Sequence, residues 1–153
     1  MARQQQTMGD PAAGNVTLPD DLAVEGAILS ESSITSISPT AGIGYATGAG
    51  GAVTQATNAS TGVTLNKICG QITTVALTTA AGAEETFTVT NSTVDANDVV
   101  AVSTTYDGAG TPFVSVRAVG AGSFKIVISN LHASAALDAA LVVNFVVIKS
   151  VAA

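Results

Sequence analysis

The chain has 153 residues, of which 10% are charged, with five Lys and Arg against eleven Asp and Glu. This length accommodates one domain and an extension. The five basic residues are scattered, which excludes the clustered positive charge that nucleic-acid binding requires. The single Cys excludes an intramolecular disulfide and the usual cysteine-rich zinc sites.

The N-terminus begins Met-Ala-Arg-Gln-Gln-Gln and lacks the apolar stretch of a signal peptide. No run approaches the roughly 18 apolar residues of a membrane span. We therefore expect synthesis in a reducing cytoplasm and no membrane partner.

Residues 1–43 are predicted to form an extended arm with a Gly-rich hinge. Residues 1–25 are rich in Gly, Pro and Asp, whereas residues 26–40 interleave Ile28, Leu29, Ile34 and Ile37 with Ser and Thr. Such a segment can add a strand to a partner or bind in an apolar groove, so these four side chains are the predicted partner-binding residues. The alternative is a disordered leader. The Gly-Ala cluster from Gly42 to Gly51 is predicted to be the hinge.

Residues 44–153 read as a β-domain, because short runs of Val, Ile and Thr alternate with turn residues. The predicted strands are 52–57, 62–66, 69–77, 84–90, 98–105, 112–119, 123–131 and 141–149. Short strands with frequent turns favour an all-β antiparallel sandwich of about eight strands. A jelly roll is favoured, and an immunoglobulin-like sandwich is the alternative.

The alternation also predicts which side chains face the core. Phe87 and Val89 share one face of their strand, and Val114, Val116 and Ala118 share one face of theirs. Residues 123–131 place Phe124, Ile126 and Ile128 inward, with Lys125 outward. Residues 141–149 are apolar on both faces except for Asn144, which predicts that this strand is covered on both sides.

Residues that could carry chemistry are few. His132 is the only histidine. Asp138 and Ser129 lie near it in sequence, but proximity in sequence does not indicate a catalytic triad. We therefore expect His132 to be a loop residue. Glu84 and Glu85 are adjacent in a strand and should diverge. Cys69 lies in an apolar run and is predicted to be a small core residue. We therefore expect no catalytic residue and no cofactor.

Two further sequence features have an alternative interpretation. Asp95-Ala-Asn-Asp lacks the Gly and the final Glu of an EF-hand loop, so turn capping is expected, with a weak calcium site as the alternative. Gly48-Ala-Gly-Gly-Ala lacks the Lys-Ser/Thr of a phosphate-binding loop. The sequence thus predicts no metal site.

Several segments resemble a β-domain of tailed-bacteriophage virion proteins over residues 44–150. The resemblance is carried by Tyr45-Ala-Thr-Gly-Ala-Gly-Gly-Ala-Val-Thr-Gln-Ala-Thr, Ser60-Thr-Gly-Val-Thr-Leu-Asn-Lys, Gly70-Gln-Ile-Thr, Phe87-Thr-Val-Thr-Asn-Ser, Gly122-Ser-Phe-Lys-Ile and Leu141-Val-Val-Asn-Phe-Val-Val-Ile-Lys. Similar domains occur on capsid decoration proteins and on head or tail fibres. The resemblance implies no catalytic residues.

Together, the low charge, the arm and the resemblance predict a non-enzymatic capsid decoration (cement) protein. It would act as a homotrimer on the virion surface, made in the host cytoplasm, with the arm contacting the major capsid protein or another virion protein. The alternative is a head- or tail-fibre module that binds a host receptor or glycan, for which Tyr106 and the loop 106–112 are the candidate residues. A hydrolase has no supporting residues.

Overall fold

A computed structural model describes Thr40 and residues 42–152. The chain divides between Ile43 and Gly44, and the account below concerns the unit that begins at Gly44. The predicted arm, with Ile28, Leu29, Ile34 and Ile37, lies outside the described residues.

Eight β-strands and no helix are present in the described part of the chain, which confirms the predicted all-β fold. The strands are β1 (Gly50–Thr54), β2 (Val63–Thr64), β3 (Cys69–Thr73), β4 (Glu84–Thr90), β5 (Val99–Tyr106), β6 (Pro112–Gly120), β7 (Ser123–Asn130) and β8 (Leu141–Ile148). Every predicted strand overlaps one of these. The predicted hinge is wrong at its end, because Gly50 and Gly51 already belong to β1.

The strands form two four-stranded sheets, sheet A in the order β1-β3-β8-β5 and sheet B in the order β2-β4-β7-β6. The prediction of purely antiparallel pairing is wrong, because β1 pairs in parallel with β3 and β2 pairs in parallel with β4. The reason is topological. The partners β1 and β3, like β2 and β4, cannot be joined by a hairpin, because the strand between them in the chain lies in the other sheet.

The two sheets share one pattern of pairing. In sheet A, β8 pairs antiparallel with β3 and with β5, and in sheet B, β7 pairs antiparallel with β4 and with β6. The consecutive strands β7 and β8 are therefore central in their sheets, while β1, β2, β5 and β6 are edge strands.

The core lies between the sheets and consists of inward-facing Val, Ile, Leu and Phe side chains. The predicted inward residues Phe87, Val89, Phe124, Ile126 and Ile128 are all buried. Burying side chains of this size stabilises the fold by roughly 1.5–3 kcal/mol each.

Within the core, the rings of Phe124 and Phe145 pack with their centroids 5.5 Å apart, which joins the two central strands. Ala118 departs from the predicted pattern. It lies at a break in register between Arg117 and Gly120, has a φ of 52°, and is exposed. The bulge removes its side chain from the core face.

Gly70 sets the distance between β1 and β3. A Cβ atom at this position would lie 2.8 Å from the carbonyl oxygen of Gly51 and 2.7 Å from Leu65. Because the carbonyl belongs to the backbone of β1, it cannot rotate away as a side chain would. Glycine therefore permits β1 to pair with β3.

Candidate interaction surface

Alternate side chains of sheet A point away from the core and form one surface, which we call the uncharged face. Its positions follow from the pairing register: Gly50, Ala52 and Thr54 of β1, Cys69, Gln71 and Thr73 of β3, Val142, Asn144, Val146 and Ile148 of β8, and Val99, Ala101, Ser103 and Thr105 of β5. None of these residues carries a charge. A four-stranded sheet of this length with no outward charge is unusual for a water-facing surface, which normally mixes both signs.

One corner of the uncharged face is apolar and open. Val99 is 54% exposed and Ile148 is 52% exposed, and they are paired in register. The next row adds Val146, which is half-buried, and Ala101, which is exposed. Exposed aliphatic side chains that adjoin in this way are typical of an interaction site rather than of isolated surface residues.

The prediction that β8 is covered on both sides holds only for its inner side. Leu141, Val143 and Val147 are fully buried in the core, whereas Val142 and Val146 on the outer side stay half-exposed in the described part of the chain. The two-sided apolar pattern of this strand therefore reflects a core face and a half-exposed outer face. That pattern is the sequence signal by which the uncharged face could have been found.

The centre of the face is polar but uncharged. The side-chain amide of Gln71 donates a hydrogen bond of 3.1 Å to the Oδ1 atom of Asn144, across the β3–β8 pair. Ser103 lies beside Asn144 on β5. A depression of about 310 Å³ opens along β5 and β8, lined by Ala101, Val102, Ser103, Asn144, Phe145 and Val146. A partner docking here would meet short polar groups and aliphatic side chains.

Cys69 belongs to this face and not to the core, so the prediction of a core cysteine is wrong. Gly70 and Ile72 take the inward positions of β3, and alternation turns Cys69 outward, where it is half-exposed. It pairs in register with Val146. A thiol at this position makes Cys69 a native reporter of whether the face is covered.

Charged groups next to the face are paired with each other. The ammonium group of Lys149 lies 2.5 Å from an Oδ atom of Asp95 and 2.6 Å from one of Asp98. Asp98 also accepts hydrogen bonds from the backbone N–H groups of Asp95 and Ser150. The turn is thus capped, as predicted.

These contacts change the titration of both partners. The hydrogen bond from Lys149, followed by the backbone N–H of Asp95, lowers the pKa of Asp98 from its ordinary 3.8. The hydrogen bonds to Asp95 and Asp98 raise the pKa of Lys149 from 10.5. The ammonium lies between the two carboxylates where the alternative prediction placed calcium, and the described residues contain no cluster of ligands for a metal ion.

The outer face of sheet B is different in character. Glu84, Lys125 and Arg117 all point outward there, together with Thr and Ser side chains and the exposed ring of Phe113. Glu84 accepts a hydrogen bond of 2.7 Å from Ser129, whereas Glu85 accepts one of 3.0 Å from Ser60. The two glutamates point to opposite sides of β4, as predicted, and sheet B presents the charged surface.

Tyr106 is half-buried, and its hydroxyl joins two loops, a contact that we call the loop lock. Its hydroxyl donates to the carbonyl oxygen of Ala109 and accepts from the N–H of Asp138 at 2.8 Å. The carboxylate of Asp138 in turn accepts from the N–H of Ala109 at 2.7 Å. The loop 106–112 is therefore held against the loop before β8.

His132 lies in a loop, as predicted, and has a structural role. Its Nδ1 atom accepts hydrogen bonds from the N–H groups of Ser134 and Ala135. Ser129 is bonded to Glu84 and Asp138 to the Tyr106 loop, so these residues do not assemble a triad with His132.

A second depression, of about 470 Å³, lies at one end of the sandwich, lined by Thr57, Asn58, Ala59, Ser60, Val75, Ala76, Thr78 and Glu85. No aromatic side chain lines it.

No family model, no curated protein and no solved structure matches this chain. Among the described residues there is no helix of the length and apolar character needed to cross a membrane. By its structure, the described part of the chain is a two-sheet β-domain with one charged face and one uncharged face.

Proposed function

We propose that the protein is a non-enzymatic structural component of a tailed-bacteriophage virion, most specifically a capsid decoration protein that stabilises the head shell. The uncharged face of sheet A is the observation that carries this proposal. It supports a role in assembly, while the resemblance of residues 44–150 to phage virion domains supplies the context.

An uncharged face suits permanent assembly. Its aliphatic corner gains free energy when water is excluded, and its short polar side chains need no charged partner. Each aliphatic side chain that becomes fully buried contributes roughly 1.5–3 kcal/mol. Repetition over many copies would make this contribution large for a shell.

The partners in this proposal are copies of the chain, as a homotrimer, and the major capsid protein or another virion protein. The arm residues Ile28, Leu29, Ile34 and Ile37 would contact the shell. The jelly-roll assignment belongs to the proposal as well: strands β3–β8, with β8 and β7 central, support it, while the parallel strands β1 and β2 would be additions to it.

The alternative role of a receptor- or glycan-binding fibre module has less support. Sugar and receptor sites commonly present aromatic side chains. The hydroxyl of Tyr106 is bonded within the loop lock, and the exposed ring of Phe113 lies on the outer side of sheet B and lines neither depression. The 470 Å³ depression has only aliphatic and polar lining residues.

The proposal is tested by placing a charge on the uncharged face in the phage itself. Val146→Glu puts a carboxylate in its apolar corner, and Thr88→Glu puts the same group on the outer face of sheet B, next to Lys125. We expect particles with Val146→Glu to carry fewer copies by quantitative mass spectrometry and to release DNA at a lower temperature. Particles with Thr88→Glu should match the wild type.

Equal melting temperatures of the two purified variants would show that Val146→Glu acts on assembly and not on folding. Wild-type virions that lack the protein would refute the proposal. Particles that lack it yet are equally robust, and that fail to adsorb to cells, would favour the fibre role.

A further inference from the structure

The free edge of β5 is long and carries no protection against pairing. The strand has eight residues, Val99–Tyr106, with no Pro, no charge and no break in register. Ala101, Ser103, Thr104 and Thr105 are all exposed along it. Native proteins normally blunt such edges with Pro, Lys, bulges or short strands, because an open edge is a template for another strand.

The other edge strands show those devices. β6 begins at Pro112, carries Arg117, and breaks its register between Arg117 and Gly120. β1 has five residues and β2 has two. Among the described strands, β5 is thus the long edge that is left open.

The direction of the backbone groups of β5 follows from the bonds of β8. The N–H of Val147 donates to Ile68 and the C=O of Leu141 accepts from Thr74, both on the β3 side. In an antiparallel ladder, alternate residues face opposite neighbours. The residues of β8 between them therefore bond Ala101, Ser103 and Thr105 of β5. Val100, Val102 and Thr104 consequently direct their N–H and C=O groups to the free edge.

We infer that this edge accepts residues 27–38 of a neighbouring copy as an added β-strand. The inference rests on the proposed self-assembly of the protein. Residues 27–38 consist of Ile, Leu, Ala, Ser and Thr with one charge, Glu31. Such a strand would extend the uncharged face without placing like charges beside β5.

The position of β1 favours a neighbour as the donor. Residues 1–39 precede β1, which is the edge of sheet A opposite to β5. In a head-to-tail ring, the β1 side of one copy adjoins the β5 side of the next. The link between the segment 27–38 and β1 is residues 39–49, which when extended span at most roughly 40 Å, more than the roughly 15 Å between the edges of a four-stranded sheet. The link is therefore long enough for the segment to reach the β5 edge of an adjoining copy.

The experiment alters the accepting edge of β5 and the donated segment 27–38 separately in the full-length protein. Thr104→Pro removes an N–H that points to the free edge, a position where Pro costs no bond to β8, and Thr104→Val keeps that N–H as the matched control. Ile34→Lys with Ile37→Lys alters the donor, with Ser32→Lys and Ser36→Lys as its control. Light scattering should give the oligomer mass for the wild type and both controls, and the monomer mass for each broken variant.

Mixing the Thr104→Pro protein with the Ile34→Lys, Ile37→Lys protein shows whether the segment binds a neighbouring copy or its own chain. One retains a donor and the other an acceptor, so an equimolar mixture should yield a one-to-one complex by native mass spectrometry. A mixture that stays monomeric, or a Thr104→Pro protein that keeps the oligomer mass, would overturn the inference.

Hydrogen exchange supplies a second measurement that does not depend on the folding of the Thr104→Pro protein. The amides of Val100, Val102 and Thr104 should exchange slowly in the wild type and quickly in the Ile34→Lys, Ile37→Lys variant. Equal exchange rates in the wild type and the variant would contradict the added strand. The proposed function would still stand if virions contain the protein. Slow exchange of these amides in the wild type, together with virions that lack the protein, would support the added strand and refute the proposed function.

Discussion

Asn130 connects three loops at one end of the sandwich through a single buried side chain. Its amide donates to the carbonyl oxygens of Thr79 and Ala135, and its Oδ1 atom accepts from the N–H groups of Thr111 and His132. Since the residue is 1% exposed, water cannot replace these bonds when the side chain is lost.

We therefore expect Asn130→Ala to lower the free energy of unfolding by about 3 kcal/mol, because several buried polar groups lose their partner. Urea denaturation followed by circular dichroism measures this loss. Asn97→Ala is the matched control, since Asn97 is exposed, and it should change stability little. A loss equal to that of the control would contradict the role assigned to Asn130.

The ion pairs of Lys149 with Asp95 and Asp98 predict how the stability of the fold depends on pH. Asp98 has a pKa below 3.8 in the folded state, so its contribution to stability is present above 3.8 and is lost as the pH falls through the folded value. Lys149 has a pKa above 10.5, so its contribution is present below 10.5 and is lost as the pH rises through the folded value.

Lys149→Met should accordingly lower the melting temperature most between these two limits. The deficit should shrink at pH values well below 3.8, where Asp98 is protonated and its ion pair with Lys149 is already lost. Thermal melts across the pH range, with Lys125→Met as an exposed control, provide the measurement. A deficit that does not vary with pH would mean that Lys149 stabilises the fold by packing alone.

At the scale of the elements, the sequence determined where strands occur better than how they pair. Glu84–Thr90 was predicted to the residue, because its alternation is clean and turn residues bound it. The strand predicted at 69–77 ends at Thr73, where the Thr74 hydroxyl accepts the N–H of Leu141. Alternation within a strand carries no information about its neighbour, so the parallel pairing of β1 with β3 could not be read from the sequence.

The candidate surface was predictable only in part. The two apolar sides of β8 were visible, but the alignment of Val146 with Ala101 and Cys69 depends on the register of three strands. The outward turn of Cys69 follows from the close approach at Gly70, which a sequence pattern does not reveal. Long-range pairing therefore decides which small residues form the face.

Substitution of Gly70 tests the pairing of β1 with β3. Gly70→Ala would place a Cβ atom 2.8 Å from the backbone oxygen of Gly51, so the two strands must separate. We expect a loss of about 1–3 kcal/mol in the free energy of unfolding, as for other overpacked sites. Gly120→Ala is the matched control, because a Cβ atom there meets nothing within 4 Å. Equal stability of the two variants would show that β1 adapts without cost.

At the scale of the whole molecule, charge is segregated. Sheet B carries Glu84, Arg117 and Lys125 on its outer side, while the uncharged face and the edge of β5 carry no charge. Lys149 is paired with Asp95 and Asp98. The described β-domain therefore carries charges on one outer sheet surface and none on the other, which suits the uncharged face to be covered in the proposed assembly.

The segregation predicts how the proposed assembly responds to salt. Screening weakens interactions between charges, with a Debye length of about 3 Å at 1 M salt, but leaves apolar and backbone hydrogen-bonded contacts in place. Light scattering at low salt and at about 1 M NaCl should therefore give the same oligomer mass. Labelling of Cys69 with a thiol reagent should be equally slow in both conditions if the uncharged face is covered in the oligomer. Dissociation by salt with no change in the labelling rate of Cys69 would mean that ionic contacts hold the copies together and that the uncharged face is not the interface.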